Sequence, residues 1–349
     1  MTRSRPPTRL FTRAPSWPLV LAGMLAGCAA TGPLPADDIL VRQTTDLIGR
    51  AIRFPENPLI RAQGIEAAAE LRLVELRPAI LAALKDESPA VRFAACAALG
   101  ELGDAGMREA VRPLLQDANP SVRLGAFYAL ERLGEPYYRR PWVAALRGDP
   151  DPEVRRNAVL LLGLLKDPRV RPLLMRAASE DSDEGVRVQA LEALALLGDA
   201  EAIGRCRMYA FGGVDYRQVF ATLVLGRVEG DQWLGALRAR LAGASYLETR
   251  LAAARGLGMH GRADGYDLAL RSLSFNSPRA DVPEDPPANQ IMRVRSMAAL
   301  ALGEIGDRRA LGPLYRLMAD PDDPRVQIAA ARAILMILSR RPPASGPVG

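Results

Sequence analysis

The chain has 349 residues, 49% of them apolar and 5% aromatic, and 46 Lys and Arg against 40 Asp and Glu give a formal charge of +6. That apolar content excludes a disordered polar chain, and with a single His and with Cys28, Cys96 and Cys206 far apart, neither a zinc site nor a disulfide scaffold is expected. The basic balance points toward nucleic acid at first sight, yet residues 1–27 hold four arginines and no acid, leaving 42 basic against 40 acidic residues beyond them.

Residues 1–27 read as an export signal. Arg3, Arg5, Arg9 and Arg13 form a basic start, and Leu19 to Gly27 is an apolar run of nine. Crossing a bilayer takes about 20 residues. The run ends in Leu25-Ala26-Gly27-Cys28, which resembles the lipobox of bacterial lipoproteins. The resemblance implies cleavage before Cys28 and acyl chains on that cysteine, several of which anchor stably where one does not. Ala29 stands where inner-membrane retention would want Asp, so the resemblance favours the outer membrane. Residues 28–37 would then be a tether. An ordinary secretory signal with an incidental Cys is the alternative. Export argues against a nucleic-acid partner.

One phrase recurs over residues 38–338: D-x-x-P-x-V-R-x-x-A-x-x-A-L-G-x-L-G-D. It is fullest at Asp86 to Asp104 and returns more loosely at Asp117, Asp149, Asp181, Met292 and Asp320. Aligned on its Arg, it places Arg61, Arg92, Arg123, Arg155, Arg187, Arg217, Arg250 and Arg295 in register, with Gln327 ninth. The intervals are 30 to 33 residues, except for 45 between Arg250 and Arg295. A fixed period of this size predicts an all-α solenoid, a superhelical stack of nine helix pairs forming an elongated body.

Within Asp86 to Asp104, Ser88-Pro89 reads as an N-cap followed by Pro at the first helical position. Asn57-Pro58, Asn119-Pro120, Asp151-Pro152 and Asp323-Pro324 repeat the pair, while Asp183-Glu184 keeps the cap alone. Val91, Ala94, Ala95, Ala98, Leu99 and Leu102 fall on one helical stripe. Gly103 suits a left-handed C′ residue. A second helix precedes each of these, so a unit is helix A, a turn carrying Asp, then helix B. Small residues recur at one position of helix B, from Gly64 and Ala95 to Ala330. In this register the sixth unit has Phe220 there, which predicts an irregular stack.

Asp or Asn stands six residues before the Arg in five units. The Arg is expected to bond turn carbonyls or the Asp of its own or the next unit, making a ladder along one edge; a row of anion-binding arginines is the alternative. These units resemble HEAT repeats of the short type named after phycobilisome lyases. The resemblance rests on P-x-V-R-x-x-A-x-x-A-L-G, covers about residues 38–338, and speaks for the fold while saying almost nothing of function; solenoids in general are mostly binding surfaces. Units five to seven depart from it, since Tyr216 and Thr249 replace the Val and no Asp precedes Arg217 or Arg250.

No catalytic constellation stands out. His260 falls on the apolar stripe, just before Gly261, and reads as a helix-end residue. Cys96 and Cys206 sit four units apart, roughly 35 Å, too far for a disulfide. No phosphate-binding loop or nucleophile elbow occurs. No cofactor is expected.

Two places break the period. Ser274 to Gln290 inserts about 13 residues between helices A and B of unit eight. Its acids Asp281, Glu284 and Asp285 are candidates for partner contact. Aromatics cluster in Phe127 to Trp142 and again in Tyr209 to Phe220. Tyr137, Tyr138, Arg139 and Trp142 are the partner-binding candidates of the first group; inter-unit packing is the competing explanation. Residues 339–349 read as a disordered tail.

The sequence therefore predicts a lipid-anchored, non-catalytic scaffold at the bacterial cell envelope, facing the periplasm and binding another protein. A structural or glycan-binding envelope lipoprotein is one alternative. A bilin-lyase-like enzyme is another, by resemblance alone, and export would put it in the wrong compartment.

Overall fold

The computed structural model describes residues 33–136, 139–213, 215–279 and 284–340, with the side chains of Arg139 and Asp215 left out. These residues are helical, in nine pairs. The A helices are α1 (Asp37–Ile52), α3 (Arg77–Ala83), α5 (Arg108–Val111), α7 (Arg139–Gly148), α9 (Arg171–Glu180), α11 (Ala200–Ala210), α13 (Leu234–Gly243), α15 (Tyr266–Ser272) and α17 (Leu311–Ala319). The B helices are α2 (Pro58–Glu70), α4 (Pro89–Leu102), α6 (Pro120–Arg132), α8 (Pro152–Leu165), α10 (Glu184–Leu196), α12 (Asp215–Arg227), α14 (Leu247–Met259), α16 (Pro287–Ile305) and α18 (Pro324–Ser339).

The caps follow from the sequence with one exception. Asn57, Asn119, Asp151, Asp183 and Asp323 each accept an N–H from the first turn of the B helix they precede. Ser88 makes no such bond. Instead Asp86, two residues earlier, accepts the Ser88 N–H at 2.8 Å, and the same Asx turn recurs at Asp117, Asp149, Asp181 and Asp320. At the far end, Gly103 closes α4 in the left-handed region at φ 74°.

The B helices pack on one another in chain order, whereas the A helices chiefly touch B helices. Neighbours in the inner layer of a curved stack lie closer than those outside, so the B helices are the inner layer. Two columns let them approach. Ala95, Ala126, Ala158, Ala190, Ala253, Ala298 and Ala330 are all fully buried. The glycines of the A-L-G phrase form the second: a Cβ on Gly303 would lie 2.8 Å from the Ala333 Cα, and one on Gly226 would lie 2.4 Å from the Gly256 Cα.

Unit six corrects the sequence register. Gln218, not Arg217, takes the repeated Arg position: its Nε2 donates to the Gly212 carbonyl six residues back. Arg92, Arg123, Arg155 and Arg187 make the same bond with the same separation. The small position of α12 is therefore Ala221, fully buried, and Phe220 lies beside the column. Even so, α10 and α12 share less contact than their neighbours do. Polar bridges join them: Tyr216 and Arg217 to Glu184, and Arg227 to Glu192.

The stack closes on itself. α18 packs against α1 and also touches α2, so the ninth pair meets the first. Leu40 and Ile48 of α1 share a buried cluster with Ile328, Ala331 and Leu335 of α18. A ring replaces the elongated body expected from the repeats. A second buried cluster runs from Leu124 to Leu257.

Two further expectations change. The insertion is shorter as a loop, because Pro287 to Gln290 are already helical and lengthen α16. Asn289, the residue six before Arg295 that the repeat puts in the turn, is consequently inside a helix. Cys96 and Cys206 are free, buried and in different clusters. Burial pushes the Cys206 thiol up to about 12. No described helix is long and apolar enough to cross a membrane.

Candidate partner-binding surface

Each helix pair presents two edges, one at the turn from A to B and one at the turn from B to the next A. The A-to-B edge carries the arginine ladder. Arg92 donates to both carboxylate oxygens of Asp117 in the next unit, at 2.8 and 2.9 Å, and Arg155 does the same to Asp181. Arg61 reaches Asp86 at 2.8 Å, and Arg295 approaches Asp320 and Asp322 at 3.5 Å. The Nη1 groups of Arg61, Arg92 and Arg155 donate to carbonyls of the arginine's own turn. The Arg92 hydrogen bonds hold the Asp117 carboxyl below its usual range despite partial burial. These arginines are committed to structure, which answers the anion-row alternative for those rungs.

The B-to-A edge has its own pairs. Arg77 meets Asp104 at 2.6 Å, Arg238 meets Asp264 at 2.8 Å, and Arg108 donates to the Leu133 carbonyl. Inside the ring, neighbouring B helices are bridged by Arg132 and Glu101 at 3.8 Å and by Arg255 and Glu304 at 3.4 Å. A shallow hollow near the B-to-A edge is lined by Gly226 to Gly230 with Met259 and His260. His260 is the C-cap of α14 and partly buried, as a helix-end residue should be. Among the described residues no group of three His, Cys, Asp or Glu could hold a metal ion.

The A-to-B edge changes character at units five to seven. Gly212 and Gly213 stand where the Asp-bearing turn should be, so the ladder loses a rung. Arg187 keeps its two turn carbonyls and meets no carboxylate from unit six among the described residues. Aromatic side chains occupy the gap. Met208 is 67%, Phe211 50% and Tyr216 59% exposed. The Arg240 guanidinium stacks on the Phe211 ring at 5.1 Å and donates to the Gln218 side chain at 2.5 Å. Arg217 lies over Tyr209 and Tyr216 and pairs with Glu184. One unit further, Arg279 of the insertion stacks on Tyr246 at 5.1 Å.

The residues singled out from sequence fare unequally. Cys28, Tyr137, Tyr138 and Asp281 lie outside the described residues, and Arg139 begins α7 with its side chain undescribed. Trp142 is a correction: it is fully buried, packed in the second cluster on the apolar face of α7, and cannot touch a partner. Glu284 is exposed. Asp285 is held by Arg293 through two bonds, at 2.6 and 3.0 Å, and Arg293 also reaches Glu248 at 3.0 Å. Gln290 pins the insertion by three bonds, to the N–H and carbonyl of Arg279 and the carbonyl of Asp285. The described part of the insertion is thus tied to the ring. Met208, Phe211 and Arg240 were missed as site residues. The missing Asp before Arg217 was the available signal.

Among solved structures, the chain is similar to human deoxyhypusine hydroxylase in complex with glycerol, with 19% identity and a TM-score of 0.35, covering 86% of this chain and 98% of that one. It is also similar to the complex of CpcE and CpcF of phycocyanin lyase from Nostoc, with 17% identity and a TM-score of 0.42, covering 78% of this chain and 98% of that one. No curated protein matches the chain in sequence. A family model described as HEAT repeats matches residues 44–131, 140–204 and 289–339, more than half of the chain. The chain belongs to the HEAT-repeat family.

Proposed function

We propose that this protein is a lipid-anchored, non-catalytic scaffold of the bacterial cell envelope that binds another protein. One observation carries the reading: Met208, Phe211 and Tyr216 are exposed together where the ladder lapses. Large apolar side chains clustered in solvent mark interaction sites, whereas singly scattered ones need no explanation. Aromatic and Arg residues are the usual anchors of such interfaces. The ladder arginines, by contrast, are tied to carboxylates and carbonyls within the fold. The basic, apolar leader and the Leu25 to Cys28 motif support the anchor and a location outside the cytoplasm. The outer membrane is the favoured face of attachment.

The test joins two measurements. Metabolic labelling with a palmitate analogue should mark the wild-type protein and not Cys28→Ser, which should shift from the membrane to the soluble periplasmic fraction. A photo-crosslinking side chain at Met208 should capture one specific protein in cells, and the same probe at exposed Arg207 on the neighbouring helix face should capture less. Absence of label on Cys28 refutes the anchor. Equal, unspecific capture at both positions refutes the scaffold.

A further inference from the structure

We infer that the gap in the arginine ladder is a docking site for an acidic, apolar-flanked segment of the partner protein, whose carboxylate takes the place of the absent Asp. This rests on reading the chain as a protein-binding scaffold, and it does not depend on the lipid anchor.

The ladder defines what is missing. In four places a unit's Arg receives carboxylate oxygens from the turn of the following unit. Gly212 and Gly213 remove that carboxylate at unit six, and Gln218 removes the cation of the same unit. Arg240 of α13 reaches Gln218 at the rung between units six and seven, where Ala244, six residues before Arg250, stands in the place of the Asp. Arg240 is half-buried, with one face covered by Phe211 and one donor used by Gln218. A guanidinium has five N–H donors in a planar fork that matches a carboxylate. No carboxylate among the described residues pairs with Arg240, and burial pulls its pKa down. Glu184, the acid beside Tyr216, is already engaged by Arg217 and Tyr216.

Charge and shape point to the same occupant. A half-buried cation without a counter-ion is costly, and an incoming carboxylate removes that cost. Phe211, Tyr216 and Met208 surround it with exposed apolar surface, so an isolated anion would leave most of the patch uncovered. An acid with an apolar or aromatic neighbour covers both. A basic or neutral peptide would leave Arg240 as it is.

The experiment pans a random-peptide phage library on the purified protein and measures the enriched peptides by fluorescence anisotropy. The expected outcome is enrichment of Asp or Glu beside apolar residues, with binding weakened about tenfold or more by Arg240→Gln and by Phe211→Ser. Added salt should weaken binding to the wild type far more than residual binding to Arg240→Gln. Phe211 is half-exposed, so the melting curve of Phe211→Ser is recorded beside its binding; Met208→Ser, at the most exposed position of the patch, is the second variant and should keep the wild-type melting curve. Peptides without acids, peptides indifferent to Arg240→Gln, no enrichment at all, or self-association of the chain through this patch would each overturn the inference. A specific protein captured in cells alongside any of these results would leave the scaffold reading standing and remove only the acidic docking mode.

Discussion

Arg308, at the start of the last helix pair, donates to both carboxylate oxygens of Asp37 at 2.7 Å, across 271 residues of sequence. Arg332 of α18 likewise pairs with Glu70 of α2. Exposed pairs of this kind contribute about 0–1 kcal/mol each, so the seam is held chiefly by buried Leu40 and Ile48 against α18. Closure has a direct signature in solution. A closed ring of nine pairs should give a radius of gyration of about 20–24 Å by small-angle scattering, only slightly above a globule of the same length. An open stack with pairs about 10 Å apart would give roughly 28 Å. Ile48→Asp should move the wild-type value toward the open one.

The ladder is graded by burial. The Arg155 and Asp181 side chains are 11% and 6% exposed, whereas Arg309, paired with Asp307, is 75% exposed. Asp181→Ala should cost about 2–4 kcal/mol, because it leaves a largely buried guanidinium without its partner. Arg309→Ala should cost under about 0.5 kcal/mol. Burial is the strongest single influence on Asp181 and opposes its ionisation, but the Arg155 hydrogen bonds, the Asp183 N–H and the charges of Arg155 and Arg187 together outweigh it, so its folded pKa is lowered. The stabilisation is therefore present above the ordinary Asp value near 4 and is lost as pH falls through the lowered folded value. Denaturant melts of the wild type and Asp181→Ala should converge on the acid side and separate at neutral pH.

The ladder, the caps and the helix-pair period were legible because each is written within one period or between adjacent periods. Arg92 finds Asp117 wherever two units stack. Closure was not legible. It depends on a small rotation per unit summed over nine units, and no single unit records that angle. The slip at Gln218 has a different origin. Arg217 sits beside it and satisfied the residue-type pattern, while the function of the position is a side-chain N–H reaching the carbonyl six residues back, which an amide also performs. Trp142 misled for a related reason: an aromatic at helical spacing can face the core or solvent, and only the neighbouring helices decide.

Two positions run against the chain's own rule for ending helix B. Gly103, Gly198 and Gly306 close their helices at φ 74°, 76° and 78°, while Arg72 and Lys166 occupy the equivalent place at φ 53°. A side chain in the left-handed region costs roughly 1–2 kcal/mol. The greater freedom of Gly in the unfolded chain offsets part of that. Lys166→Gly and Arg72→Gly should therefore each stabilise by about 0.5–1 kcal/mol, read from denaturant midpoints with unchanged slopes. Gly303→Ala tests the opposite case. Its Cβ would meet the Ala333 Cα at 2.8 Å, forcing α16 and α18 apart, and should cost about 1–3 kcal/mol.

Glu131, near the end of α6, gives the ring a pH dependence of the opposite sign to Asp181. Burial raises its carboxyl to about 7; Arg169 opposes the shift and Asp167 adds to it. Below the ordinary Glu value of about 4.5, folded and unfolded chains both hold the proton and the residue costs nothing. Between about 4.5 and 7 the unfolded chain releases the proton while the folded one keeps it, so stability falls as pH rises. Above about 7 the full penalty remains, on the order of 2 kcal/mol after allowance for partial exposure. Glu131→Gln removes the ionisable group while keeping its shape. Its melting temperature should exceed the wild type's by about 3 °C at pH 8 and match it near pH 4. A gain of equal size at both pH values would assign the effect to packing, because only a proton that the folded chain holds more tightly can make the difference vanish in acid.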